Sequence, residues 1–214
     1  MNTDMAISWA MLLGLGAFHG INPGMGWLFA VALGMQERRR GAVLRALLPL
    51  GVGHALAVAA AIAVTLAVRT VVPIQYLRWP VAAILICMGV TRFFRHKHPR
   101  WASMRVGMGG LTWWSFLMAT AHGAGLMVVP IFLGMAMANA GGHACHGTAA
   151  ASAGTGPALL ATVLHALGYL AVTAMVAVVV FEKFGLGLLR KGWFNLDLVW
   201  AATLIITGTL TVAL

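Results

Sequence analysis

Four histidines stand where an ionisable group is costly. His19, His54, His122 and His165 each lie well inside a long apolar run. An ionisable side chain at membrane depth usually faces a cavity or a partner. Their surroundings recur. Glycine follows both His19 and His122, in Phe18-His19-Gly20-Ile21-Asn22-Pro23-Gly24 and in Ala121-His122-Gly123-Ala124-Gly125, while His54 and His165 each open a His-Ala-Leu triplet. Neutral imidazole suits zinc, nickel, cobalt or copper. Protons compete for the same nitrogens, so exchanging metal for protons is natural chemistry for such a set. The acids Asp4, Glu37, Glu182 and Asp197 all fall at or beyond the ends of the apolar runs. A core without carboxylates disfavours calcium, magnesium and a carboxylate proton relay. A single histidine on an apolar face is more often a core residue satisfied by one hydrogen bond. Four in ordered recurrence favour a shared midplane site.

A second ligand-like group lies in an uncharged stretch rich in Gly, Ala, Ser and Thr, over about 139–156. His143, Cys145 and His146 offer three soft or borderline ligands within four residues, enough to collect or release an ion at a pore mouth but too few for a closed structural zinc site. His96 and His98 flank Lys97 in a basic loop, a weaker signal. Met25, Met118 and Met127 fall near the core histidines and would suit copper(I), although flexible packing is the better explanation of the methionines.

The backbone around the histidines is expected to be broken. Asn22-Pro23-Gly24 should kink or end a helix just after His19, and Gly123 and Gly125 should do the same after His122. Pro49, Gly51 and Gly53 are expected to loosen the helix before His54. Gly16, Gly20 and Gly24, spaced by four, read as one small-residue face. Broken backbone at membrane depth is tolerated only where it is buried in protein or lines a cavity. Asn22, Pro23, Gly24, Gly20 and Gly123 are therefore read as structural support for the site.

These elements belong to an all-α polytopic membrane protein. Of 214 residues, 61% are hydrophobic and only 8% charged, with a mean hydropathy of +0.93. Soluble domains carry about 25% charged residues. That gap excludes an ordinary soluble enzyme, a disordered chain and a nucleic-acid binder, and two cysteines exclude a disulfide scaffold. Six apolar runs, roughly 6–34, 43–68, 74–94, 109–138, 157–181 and 195–213, predict six spans. Twelve of the fourteen Lys and Arg residues fall in loops one, three and five, and two (Arg69, Arg78) in loop two. The odd-numbered loops are thereby assigned to the cytoplasm and both termini outside. The N-terminal run, with no basic segment before it, reads as a span rather than a cleaved signal peptide. Trp79, Trp101, Trp113, Trp114, Trp193 and Trp200 lie near run ends, where interfacial belts explain them.

The histidine motifs recur at offsets of 103 and 111 residues. Each copy then holds three spans, so two copies must be inverted. The chain is read as a single membrane domain, repeat one about 1–98 and repeat two about 99–214.

The stretch Gly16-Ala17-Phe18-His19-Gly20-Ile21-Asn22-Pro23-Gly24-Met25-Gly26 resembles the His-x-x-x-Pro-Gly motif of NicO-type nickel/cobalt exporters. The six-span inverted plan is similar to their wider superfamily, which includes lysine-exporter-like carriers and cytochrome c biogenesis (CcdA, DsbD) electron carriers. The resemblance implies that His19 is a site residue supported by Pro23 and Gly24. Such exporters usually carry a second His or an acid around the Pro-Gly, where this chain has Asn22 and Met25. The redox carriers place Cys beside Pro; here Gly24 follows Pro23, which argues against a thiol relay.

The function expected is a transporter, most naturally an exporter, of a divalent transition-metal ion, working by alternating access around a midplane histidine site in a bacterial inner membrane. Its partners would be the lipid bilayer and the metal ion, with no nucleic acid, and a homo-oligomer is compatible with the sequence. No enzyme activity is expected: there is no His-Glu-x-x-His motif, and no core carboxylate to act as general base. The alternatives are a carrier for a small organic or anionic solute and a haem or redox membrane protein.

Overall fold

The computed structural model describes residues 3–94, 107–140, 155–184 and 196–213. Among the described residues there are eight α-helices and no strands: α1 Thr3–Ile21, α2 Trp27–Glu37, α3 Arg40–Val68, α4 Ile74–Phe94, α5 Met108–Ala121, α6 Ala124–Ala140, α7 Thr155–Val179 and α8 Leu196–Ala213. A 3-10 turn, Pro23–Met25, joins α1 to α2, and a π turn, Val180–Phe184, continues α7.

Among the described residues three helices are long and apolar enough to cross a membrane: Arg40–Val68, Tyr76–Phe94, and α7 with most of its π turn, Thr155–Lys183. The pair α5 and α6 makes a fourth if taken as one span, bent by 61°. The burial pattern is that of a protein in lipid. Large apolar side chains such as Leu48, Val64, Leu159 and Met175 face outward. Polar ones, including His19, His54, Ser115, His165 and Thr173, are buried. A soluble fold cannot leave so large an apolar exterior bare, so these helices suit a multi-pass membrane protein.

Both expected breaks occur, each for a local reason. Pro23 lacks an amide hydrogen and cannot continue α1. Asn22 caps the 3-10 turn, its Oδ1 accepting from the Gly24 amide at 2.9 Å, and Gly26 then takes φ +127° before α2 begins. The second break falls where Gly123 adopts φ +74°. Both angles lie where a side chain is strained. The expected loosening of α3 is not found: α3 is continuous with Pro49 inside it. Gly51 and Gly53 serve packing instead. A Cβ on Gly53 would stand 2.2 Å from the Thr112 carbonyl oxygen of α5.

Close packing also sets helix directions. A Cβ on Gly16 would lie 2.0 Å from the His165 carbonyl oxygen and one on Gly20 2.6 Å from that of Tyr169, so α1 runs parallel to α7. Gly24 does not share this face, because the break turns it toward Met118 and His122. Gly125 lies against Ala57 and Ala61 rather than breaking the backbone. On α4 and α8, Gly89 meets Ala201 while Gly208 meets Ala82, an antiparallel pair. Arg40 at the start of α3 pairs with Glu182 at the end of α7, 3.1 Å apart, so those two helices are antiparallel as well. At the same end Glu37 receives hydrogen bonds from Arg39 and Arg45. The Arg39 bond, aided by the charge of Arg45, holds the Glu37 carboxyl below the usual carboxylate range.

Candidate functional site

Three of the four core histidines come together. His19 on α1, His54 on α3 and His165 on α7 are each 0% exposed. Their ring centres are 5.6 Å apart for His19–His54, 5.0 Å for His19–His165 and 5.3 Å for His54–His165. The sequence places them there simply. The α1–α7 glycine contacts press His19 against the His165 face, and Gly53 lets α3 close on α5.

Backbone carbonyls set the tautomers of two rings. His19 Nδ1 stands 2.6 Å from the Leu15 carbonyl oxygen, and His165 Nδ1 3.2 Å from that of Leu12. A carbonyl only accepts, so both Nδ1 atoms carry the proton and both Nε2 atoms carry a lone pair. Those Nε2 atoms are buried and have no protein partner, and neither ring nitrogen of His54 has one. Each such atom costs about 1–3 kcal/mol unless something satisfies it. A ring that donates Nδ1–H to a carbonyl while presenting Nε2 has the orientation of a metal-ligating histidine.

Among the described residues no three His, Cys, Asp or Glu side chains have their donor atoms gathered as around an ion. The rings meet, but the nitrogens do not converge. The terminal torsion of histidine is broad, and no hydrogen bond fixes His54. It lies parallel to Tyr169, with ring centres 3.9 Å apart and planes 7° apart.

His122 stands outside the triad. Trp200 lies between it and His19, its ring centre 4.7 Å from His19 and 5.7 Å from His122. His122 Nδ1 donates to the Met118 carbonyl at 2.8 Å, and its Nε2 accepts from Arg92 Nη1 at 3.3 Å. Arg92 also donates to the Ala121 carbonyl at 2.9 Å, capping the end of α5. Two readings are corrected here. Trp200 is 2% exposed and donates to the His122 carbonyl at 2.8 Å, so it belongs to the core rather than an interfacial belt. Arg92 lies in the last turn of α4 and reaches the second helix break, so it is not a loop base.

The residues read as supporting the site shape the backbone around the histidines. Asn22 and Pro23 form the first break, Gly20 seats α1 on α7, and Gly123 forms the second break. Gly24 faces His122, not the triad: a Cβ there would lie 3.7 Å from His122 Cε1. His143, Cys145, His146, His96 and His98 lie outside the described residues. Met25 and Met127 are buried. Two residues near the triad escape sequence reasoning, Tyr169 and Thr173. The signal was present, since His165, Tyr169 and Thr173 recur every four residues and share one helix face.

No protein-family model, curated protein or solved structure matches this chain.

Proposed function

We propose that this protein is a multi-pass membrane transporter that carries a divalent transition-metal ion (nickel, cobalt, zinc or copper) outward by alternating access. His19, His54 and His165 are its ligands. One observation carries the reading: three buried imidazoles meet at one point with four ring nitrogens lacking any protein partner. The spacing suits a shared ion. A metal–nitrogen bond of about 2.0–2.1 Å puts each ring centre about 3.2 Å from the ion, so two rings at a tetrahedral angle stand about 5.2 Å apart. The observed separations bracket that value. Opposite axial ligands of a haem would stand about 6.4 Å apart on the same reckoning, so the ring separations favour a single small ion once His54 turns its nitrogen toward the other two. The fourth position is left for water or an exchanging ligand, as carriage rather than storage requires.

The architecture supports the same reading. We take α1 with α2, and α5 with α6, as two broken spans, which with α3, α4, α7 and α8 makes six. The helix directions fit six alternating crossings. Residues 1–98 and 99–214 then form two inverted repeats: α1 lies on α7 as α5 lies on α3, and α4 pairs with its counterpart α8. His19 and His122 each hold a carbonyl four residues back, as equivalent positions would. The repeats differ where it matters for the ion, because His122 is committed to Arg92. With the odd-numbered loops inside, the plan suits a bacterial inner membrane.

The test is flux of zinc or cobalt into proteoliposomes. The wild type is expected to carry the ion, and His54→Ala and His165→Ala to lose at least about tenfold in rate, the low end of the loss that even outer-shell changes cause. Equal flux in all three would overturn the reading. Metal-independent flux of an anion would favour the organic or anionic solute carrier.

A further inference from the structure

Tyr169 touches both the triad and the first helix break. Its ring, fully buried, lies face to face with His54 at 3.9 Å. Its hydroxyl donates to the Met25 carbonyl at 2.6 Å, across 144 residues of sequence. Met25 is the last residue of the 3-10 turn, and Gly26 beyond it adopts φ +127°. These residues form the joint between α1 and α2. Trp27 reinforces it from the other side, donating from Nε1 to the Ile21 carbonyl at 3.0 Å.

The hydroxyl also has an alternative neighbour. Ser115 of α5 and Thr173, one turn along α7, both lie beside the Tyr169 hydroxyl; Ser115 Oγ is engaged in donating to the Leu50 carbonyl at 2.6 Å, whereas Thr173 Oγ1 is buried without a hydrogen-bond partner. Tyr169 therefore has one acceptor engaged on the break and another in reserve on its own helix. A coupling element needs two such arrangements whose balance a ligand can tip.

We infer that Tyr169 is a positioning residue that links occupancy of the three-histidine site to movement of α2, so that α2 is the gate. The inference rests on the transport reading above. His54 must turn for its nitrogen to join those of His19 and His165. Turning breaks its parallel stack with Tyr169. The tyrosine is then free to exchange the Met25 carbonyl for Thr173, and the hinge keeps one of its two side-chain hydrogen bonds, that of Trp27. The body of α2 packs Ala30, Val31 and Gly34 on α3 and the end of α7, and beyond this packing its far end carries the exposed ion pairs of Glu37 with Arg39 and Arg45.

The experiment is hydrogen–deuterium exchange over residues 23–31 of the full chain in nanodiscs, with zinc as the probe and zinc affinity measured in parallel. In the wild type, zinc should speed exchange in this segment. Tyr169→Phe keeps the ring against His54 and should keep zinc affinity within about threefold. Without zinc, its exchange should already be about fivefold faster, the factor equivalent to one net hydrogen bond, and zinc should add nothing. Thr173→Val removes the reserve acceptor and should blunt the zinc response with affinity kept, which serves as the test if Tyr169→Phe does not fold. Normal zinc binding with wild-type exchange behaviour in these variants would overturn the coupling alone. Absence of zinc binding by the wild type would overturn the metal reading and the coupling with it.

Discussion

Replacing His54 by phenylalanine should stabilise the metal-free protein. His54 places two ring nitrogens in the core with no hydrogen-bond partner. Each uncompensated polar atom costs about 1–3 kcal/mol, and an apolar group of similar shape removes that cost. Phenylalanine preserves the stack on Tyr169, while its slightly larger ring adds overpacking of about 1–3 kcal/mol. The net gain expected is about 1–3 kcal/mol, or about 2–4 °C in midpoint per kcal/mol for a chain of this size. The ion reverses the order. At one hundred times its dissociation constant a ligand stabilises the folded state by about 2.7 kcal/mol, and only the wild type should receive it. The assay is tryptophan-monitored thermal unfolding in detergent, with and without zinc. A His54→Phe variant that melts below the metal-free wild type, yet shows the same zinc-induced shift, would refute the argument. His54 would then be a satisfied structural group, and the site would lie elsewhere.

Other outcomes follow from the same geometry. His122→Ala should leave zinc affinity within about threefold, because His122 stands across Trp200. It should destabilise the fold by about 1.5–3 kcal/mol, the worth of a hydrogen bond to a charged group, as measured by unfolding. Gly16→Val should abolish folded protein on size exclusion, because its Cβ would overlap the His165 carbonyl oxygen. Zinc binding should release no proton at neutral pH, because the Nε2 atoms of His19 and His165 already carry lone pairs, and should weaken only where acid begins to protonate them; calorimetry in buffers of different ionisation enthalpy checks both points. The Glu37 carboxyl titrates below its ordinary value of 4.5. Its ties to Arg39 and Arg45 should therefore persist from neutral pH down to that value and fail only as pH falls further. Exchange protection at the end of α2 reports this.

Much of this arrangement was legible because its causes are local. Asn22-Pro23-Gly24 and His122-Gly123 could be read directly, because an asparagine cap beside proline and a glycine at positive φ act within a few residues, whereas Pro49 alone leaves α3 continuous. Three of four histidines also met as their recurrence suggested. The fourth did not, for reasons local sequence cannot carry: Trp200 from α8 fills the space between His19 and His122, and Arg92 from α4 claims its free nitrogen. Arg92 read as a loop base because apolar density falls away after it, while the position of its guanidinium depends on where α5 ends. The glycines before His54 misled in the same way. Whether a glycine loosens a helix or admits a neighbour is decided by the neighbour, here α5.

The most direct measurement is X-ray absorption at the zinc edge of protein loaded with one equivalent, beside His19→Ala and His122→Ala. The account predicts three imidazole nitrogens at about 2.0–2.1 Å in the wild type and in His122→Ala, and loss of one in His19→Ala. An oxygen-only shell, or loss of an imidazole in His122→Ala but not in His19→Ala, would contradict it.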